Sequence, residues 1–126
     1  MKKILIADDD PDILKLLSSR FKANGYDVVD AQNGVWVIVK ALKENPDLIV
    51  LDINMPAGNG ISVFEQLKKH IQTLFTPVIF ITGYPSYEVR NQVIEMGADG
   101  FVSKPFDAEE LLFKVEEALG EGSLYK

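Results

Sequence analysis

No cysteine occurs among the 126 residues of this sequence. That absence removes any disulfide framework, any thiolate metal site and any cysteine nucleophile. Long apolar runs are missing too: no stretch approaches the ~18 consecutive apolar residues that a membrane-spanning helix needs. The N-terminal run Ile4-Leu5-Ile6-Ala7 ends on three aspartates, which makes it too short for the apolar region of a signal peptide. Positive charge is also scarce. Thirteen Lys and Arg stand against nineteen Asp and Glu, a formal net charge of −6. Such a balance argues against unaided binding to nucleic acid or to an anionic membrane surface. The expectation is a soluble, cytoplasmic chain without direct nucleic-acid or membrane partners. Repeats, low-complexity tracts and linkers are absent as well.

What is present is ordinary for one globular domain, with 47% hydrophobic and 25% charged residues. Short apolar runs (Ile4–Ala7, Tyr26–Ala31, Leu48–Leu51, Val78–Ile81, Phe101–Val102) alternate with segments of helical period. Those segments are Pro11–Asn24, Gly34–Glu44, Gly60–Lys69, Ser86–Met96 and Asp107–Leu119. Strands alternating with helices of this length predict βαβ units and a parallel sheet. Consecutive apolar positions such as Ile49-Val50-Leu51 suit strands covered by helices on both faces. The result is an α/β, doubly wound (βα)5 architecture, with right-handed crossovers limiting the topology. Local signals mark the boundaries. Asp10-Pro11 reads as an N-cap followed by proline at the first helical position, and Asn24-Gly25 and Met96-Gly97 as helix ends. Asp107 and Glu110 have the spacing of a capping box, and Gly120–Ser123 reads as a frayed tail.

Two strands end abruptly in acid: Ile4–Ala7 in Asp8-Asp9-Asp10, and Leu48–Leu51 in Asp52. In doubly wound sheets the ligand lies beyond the carboxyl ends of the strands. Asp8, Asp9 and Asp52 would meet there, and carboxylates at such range repel unless something compensates. A hard divalent cation is the natural compensation. A shallow edge with room for water suits Mg²⁺ better than a Ca²⁺ cage. Acids after strands also serve simply as helix caps, the reading given to Asp10. Two further strand ends supply Thr82 and Lys104. Taken singly, the first is an ordinary strand-end threonine and the second a surface lysine. Together, beside a metal-binding carboxylate cluster, they make a place for a phosphoryl group.

Four segments carry a resemblance: ILIADDDPDIL at 4–14, LIVLDINMPAGNG at 48–60, VIFITG at 78–83 and GFVSKPF at 100–106. Over essentially its whole length the chain resembles a receiver domain of the two-component response regulators, here residues 1–120 followed by a C-terminal tail, 121–126. The resemblance implies a flavodoxin-like sheet of order 2-1-3-4-5 with helices on both faces. It implies Asp52 as phosphoacceptor, and Mg²⁺ held by Asp8, Asp9, Asp52 and the backbone carbonyl of Asn54. Thr82 would bond the phosphoryl group and Lys104 would pair with it. Pro56 and Gly60 match the turn behind the acceptor, and Pro105 a usual cis proline. Thr82 and Phe101 would form the switch, with Phe101 replacing a common tyrosine. The implied partners are a sensor histidine kinase or histidine phosphotransfer protein and a downstream protein, with the chain a monomer or weak dimer.

Tyr84, two residues after Thr82, has two readings: a ring that shields the phosphoryl group from water, or a surface loop aromatic. The second helix has more apolar positions than its core stripe needs. Val37, Ile38, Ala41 and Leu42 satisfy the stripe, which leaves Val35, Trp36 and Val39 as a partner patch unless a rotated helix buries Trp36. The leading function is a phosphorylatable switch, as a stand-alone receiver or phosphorelay intermediate, and not a turnover enzyme. The alternative is the receiver fragment of a longer regulator with an output domain. A Mg²⁺-dependent aspartyl-phosphate phosphohydrolase would want an acid where Asn54 stands. A flavodoxin-like cofactor binder would want a Ser/Thr/Gly-rich loop where the three aspartates stand.

Overall fold

A computed structural model describes residues 1–120; the tail expected over 121–126 lies outside the described residues. Ten elements alternate along the chain: β1 (Lys3–Ala7), α1 (Pro11–Ala23), β2 (Asp27–Ala31), α2 (Gly34–Glu44), β3 (Leu48–Asp52), α3 (Gly60–Leu67), β4 (Val78–Thr82), α4 (Tyr87–Glu95), β5 (Gly100–Ser103) and α5 (Ala108–Ala118). The strands form one parallel sheet in the order β2-β1-β3-β4-β5, as expected.

Alternation along each strand divides the core into two layers. Ile4 and Ile6 of β1 and Ile79 and Ile81 of β4 pack with Leu14, Leu17 and Phe21 of α1 and Leu111, Leu112 and Val115 of α5. Leu5, Ala7, Ile49, Leu51 and Phe80 face the other way, against Val37 and Ala41 of α2, Val63, Phe64 and Leu67 of α3 and Val93 of α4. Every residue of β3 and β4 is buried, which is why these strands are apolar at consecutive positions. Phe64 and Phe80 meet edge to face at 5.2 Å, and each fully buried ring of this kind contributes ~2 kcal/mol or more by leaving water.

Helix ends largely follow the sequence signals. The Asp10 carboxylate accepts from the Asp12 N–H, with Pro11 opening α1. Gly25 and Gly97 leave their helices at φ +89° and +103°, a conformation costly for any side chain. Two ends differ. Asp107 accepts from the Glu109 N–H at 2.9 Å, so α5 starts on a tight Asx turn and not on a box with Glu110. Regular α3 stops at Leu67, short of the expected Lys69. The Thr73 hydroxyl donates to the Leu67 carbonyl at 2.6 Å, and the backbone tightens into i+3 turns there.

Close backbone packing shapes the loop after β3. The Gly60 N–H donates to Ile53 O at 2.7 Å, and a Cβ at Gly60 would lie 2.5 Å from Asp52 O. Gly34 presses equally hard on this loop: its Cβ would lie 2.6 Å from the carbonyl oxygens of Ala57 and Gly58. The loop is thus folded tightly behind Asp52.

Candidate functional site

The carboxyl ends of β1, β3, β4 and β5 meet at one edge of the sheet. Asp8 follows β1 and is fully buried, its N–H donating to Ala31 O at 3.1 Å. Asp52 closes β3 and is 2% exposed. Exposed Asp9 completes the group: one carboxylate oxygen from each of Asp8, Asp9 and Asp52 lies within 4.8 Å of the others. The expected convergence is therefore present.

The two buried carboxylates have local tethers. Asp8 Oδ1 accepts from the Asp10 N–H at 2.9 Å, so Asp8 also braces the turn into α1. Asp52 Oδ1 accepts from the Asn54 N–H at 3.2 Å. The remaining oxygens face Lys104, whose Nζ lies 2.8 Å from Asp8 Oδ2 and 3.4 Å from Asp52 Oδ2. Lys104 is placed by its own N–H, which donates to Thr82 O at 2.7 Å, and it precedes a cis bond to Pro105.

Electrostatics at this edge are uncompensated. Burial and the neighbouring Asp8 charge push the Asp52 carboxyl up from 3.8 to about 6, with Lys104 and the Asn54 N–H pulling the other way. Burial alone would lower the Lys104 ammonium, but its contact with Asp8 and the charges of Asp52 and Asp8 outweigh that and hold it above its ordinary value. Two buried carboxylates thus share one ammonium, with a third carboxylate, Asp9, beside them. Buried Asp8 Oδ2 accepts no aligned hydrogen bond among the described residues, its lysine contact being an ion pair. A cluster of hard oxygen donors whose negative charge exceeds that of its one ammonium fits a divalent cation.

Thr82, at the end of β4, is 1% exposed. Its hydroxyl makes no hydrogen bond to Asp52. It donates to Asn54 Oδ1 at 3.1 Å and accepts from the Tyr84 N–H at 3.0 Å. Sequence reasoning assigned Asn54 a role only through its backbone carbonyl and missed this side-chain contact; the signal available was an amide two residues after Asp52. Phe101 on β5 is partly buried, packs against the α2–α4 layer and pairs with Phe80 across the sheet. The Tyr84 ring is 80% exposed. Val35, Trp36 and Val39 lie on the outer face of α2, 59%, 52% and 43% exposed, so no helix rotation buries the indole.

The family model described as response regulator receiver domain matches residues 4–116. The DNA-binding dual master transcriptional regulator RpaA of Synechocystis sp. is 38% identical over 94% of this chain and 49% of its own length. The alkaline phosphatase synthesis transcriptional regulatory protein PhoP of Bacillus subtilis is 38% identical over 94% of this chain and 48% of its own. The chain spans about half the length of these two curated relatives. Among solved structures, the receiver domain of the Francisella response regulator 1452 superposes with a TM-score of 0.88 at 32% identity, covering 98% of this chain and all of that one. Chemotaxis protein CheY4 of Vibrio cholerae gives 0.88 at 32% identity, covering 94% of this chain and 98% of its own. With the 2-1-3-4-5 sheet, the acidic edge and this match over nearly its whole length, the chain belongs to the response regulator receiver domain family.

Proposed function

We propose that Asp52 accepts a phosphoryl group from a phosphohistidine of a sensor kinase or histidine phosphotransfer protein, or from a small acyl phosphate. The carrying observation is a buried carboxylate, 2% exposed, with Lys104 Nζ at 3.4 Å and two further carboxylates beside it. At neutral pH a group titrating near 6 is mostly ionised, and burial strips it of water that would blunt its nucleophilicity. An Asp52 oxygen forms the new O–P bond as the P–N bond to imidazole breaks, and the leaving imidazole takes the electron pair. Asp8, Asp9, Asp52 and the Asn54 carbonyl would hold Mg²⁺, which neutralises charge on phosphoryl oxygens when bound. Lys104, with its Nζ 3.4 Å from Asp52 Oδ2, would pair with the added charge, and Thr82 would donate to it once its hydroxyl turns from Asn54.

Phosphorylation replaces one carboxylate charge by roughly −2 and adds oxygens that need partners. Thr82 turning toward them frees space beside Phe101, the route by which the edge would reach a surface read by a downstream protein. Residues 1–120 carry this machinery, in the cytoplasm, as a switch and not a turnover enzyme. The same chemistry serves a stand-alone receiver, a phosphorelay intermediate or the receiver segment of a longer regulator. Tyr84 extends from the loop bonded to Thr82, and its ring would shield the phosphoryl group; an unchanged dephosphorylation rate in Tyr84→Ala would remove that role.

Intact mass after incubation with a small acyl phosphate, with and without Mg²⁺, tests the main reading. A single phosphoryl adduct is expected in wild type with Mg²⁺ and none in Asp52→Ala. An adduct of equal yield in Asp52→Ala would overturn the assignment.

A further inference from the structure

The phosphoryl chemistry leaves the Asn54 side chain unused, yet that side chain holds the Thr82 hydroxyl. A threonine hydroxyl has one proton to give. In Thr82 the Tyr84 N–H already donates to the oxygen at 3.0 Å, and the proton goes to Asn54 Oδ1 at 3.1 Å. Thr82 as a whole is 1% exposed, so water does not readily replace either partner at its hydroxyl. Asn54 lies in the short loop that follows Asp52, tied to it by an N–H bond of 3.2 Å to Asp52 Oδ1. That loop is in turn clamped by Gly60 N–H on Ile53 O at 2.7 Å.

We propose that the Asn54 side chain is a positioning residue that holds the Thr82 hydroxyl in its unphosphorylated orientation, so that Thr82 must release Asn54 before it can donate to a phosphoryl oxygen on Asp52. The proposal rests on Asp52 being the phosphoacceptor. One proton cannot satisfy two acceptors, and a charged phosphoryl oxygen is the stronger of the two. Release costs little on the asparagine side. Asn54 is exposed, so its amide oxygen turns to water and no buried acceptor is stranded. The threshold is therefore one net hydrogen bond, an equilibrium factor of about fivefold. The Tyr84 N–H is bound to the same oxygen, so the release also loosens the loop after β4.

Beryllofluoride affinity with saturating Mg²⁺, in wild type, Asn54→Leu, Thr82→Val and the double variant, tests this. Leucine matches asparagine in size and removes the acceptor, leaving the backbone carbonyl in place; Mg²⁺ affinity alone is measured to correct for any change in the metal site. Asn54→Leu should bind beryllofluoride about fivefold more tightly than wild type, and the gain should vanish in the Thr82→Val background. Equal affinity in Asn54→Leu and wild type, or the same gain without the Thr82 hydroxyl, would overturn the proposal. Three-bond couplings that report Thr82 χ1 in metal-free protein give a second readout. One rotamer is expected in wild type and averaging in Asn54→Leu; a single unchanged rotamer in both refutes the latch. Wild type that binds no beryllofluoride would instead count against the phosphoacceptor reading, while the rotamer measurement still decides the latch.

Discussion

Replacing Asp52 by asparagine should stabilise the metal-free protein, and the size of the effect follows from the titration of that carboxyl. In the folded chain it titrates near 6 and not at its ordinary 3.8, because it is buried beside Asp8. Between those values the native state binds the proton that the unfolded chain has lost. Unfolding free energy therefore falls as pH rises from about 4 to about 6, and the full penalty stands above that window. Roughly two pKa units at 1.36 kcal/mol each give a cost of ~3 kcal/mol at pH 7. The side-chain amide introduced by Asp52→Asn would carry no charge and would keep an oxygen for the Asn54 N–H, so most of that cost disappears. For a domain of this size the gain corresponds to a rise in Tm of roughly 10 °C. Urea and thermal unfolding by circular dichroism, in chelator and from pH 4 to pH 8, would measure it. The variant should gain at pH 7 and converge on wild type near pH 4. Added Mg²⁺ should narrow the gap from the wild-type side, by about 1.4 kcal/mol at ten times its Kd. A variant no more stable than wild type at pH 7, or a gain independent of pH, would refute the electrostatic account of the site.

Three other perturbations have defined outcomes. Lys104→Met removes the ammonium that lies between Asp8 and Asp52; metal-free stability should fall by about 3 kcal/mol at pH 7 and by less at pH 5, where Asp52 takes up a proton, read by urea denaturation at both values. Gly60→Ala drives a methyl to 2.5 Å from Asp52 O. It should cost about 2–3 kcal/mol and lower the yield of acyl-phosphate adduct, and a variant as stable as wild type would show that the loop yields easily. Trp36→Glu alters a side chain that is 52% exposed, so thermal stability should stay within about 0.5 kcal/mol of wild type; a larger loss would mean that the indole packs as core.

The order of elements and the location of the site were legible residue by residue. Leu48-Ile49-Val50-Leu51 and Val78-Ile79-Phe80-Ile81 are apolar at every position because both faces of β3 and β4 are covered. That is a local property of the chain. Asp8, Asp9, Asp52, Thr82 and Lys104 stood out because each follows such a run, and a parallel sheet brings all those ends to one edge. Side-chain pairing at that edge was not legible. Nothing in the sequence says that Lys104 lies closer to Asp8 than to Asp52, or that the Thr82 hydroxyl turns to Asn54, 28 residues away. Nor does it show that Thr73 ends α3 by bonding the Leu67 carbonyl, or that Gly34 packs against the loop behind Asp52. Secondary structure and strand direction follow from repeating patterns within a few residues. Which hydroxyl, amide or ammonium meets which carboxylate depends on distances of a few tenths of an ångström between distant segments, and packing alone sets those.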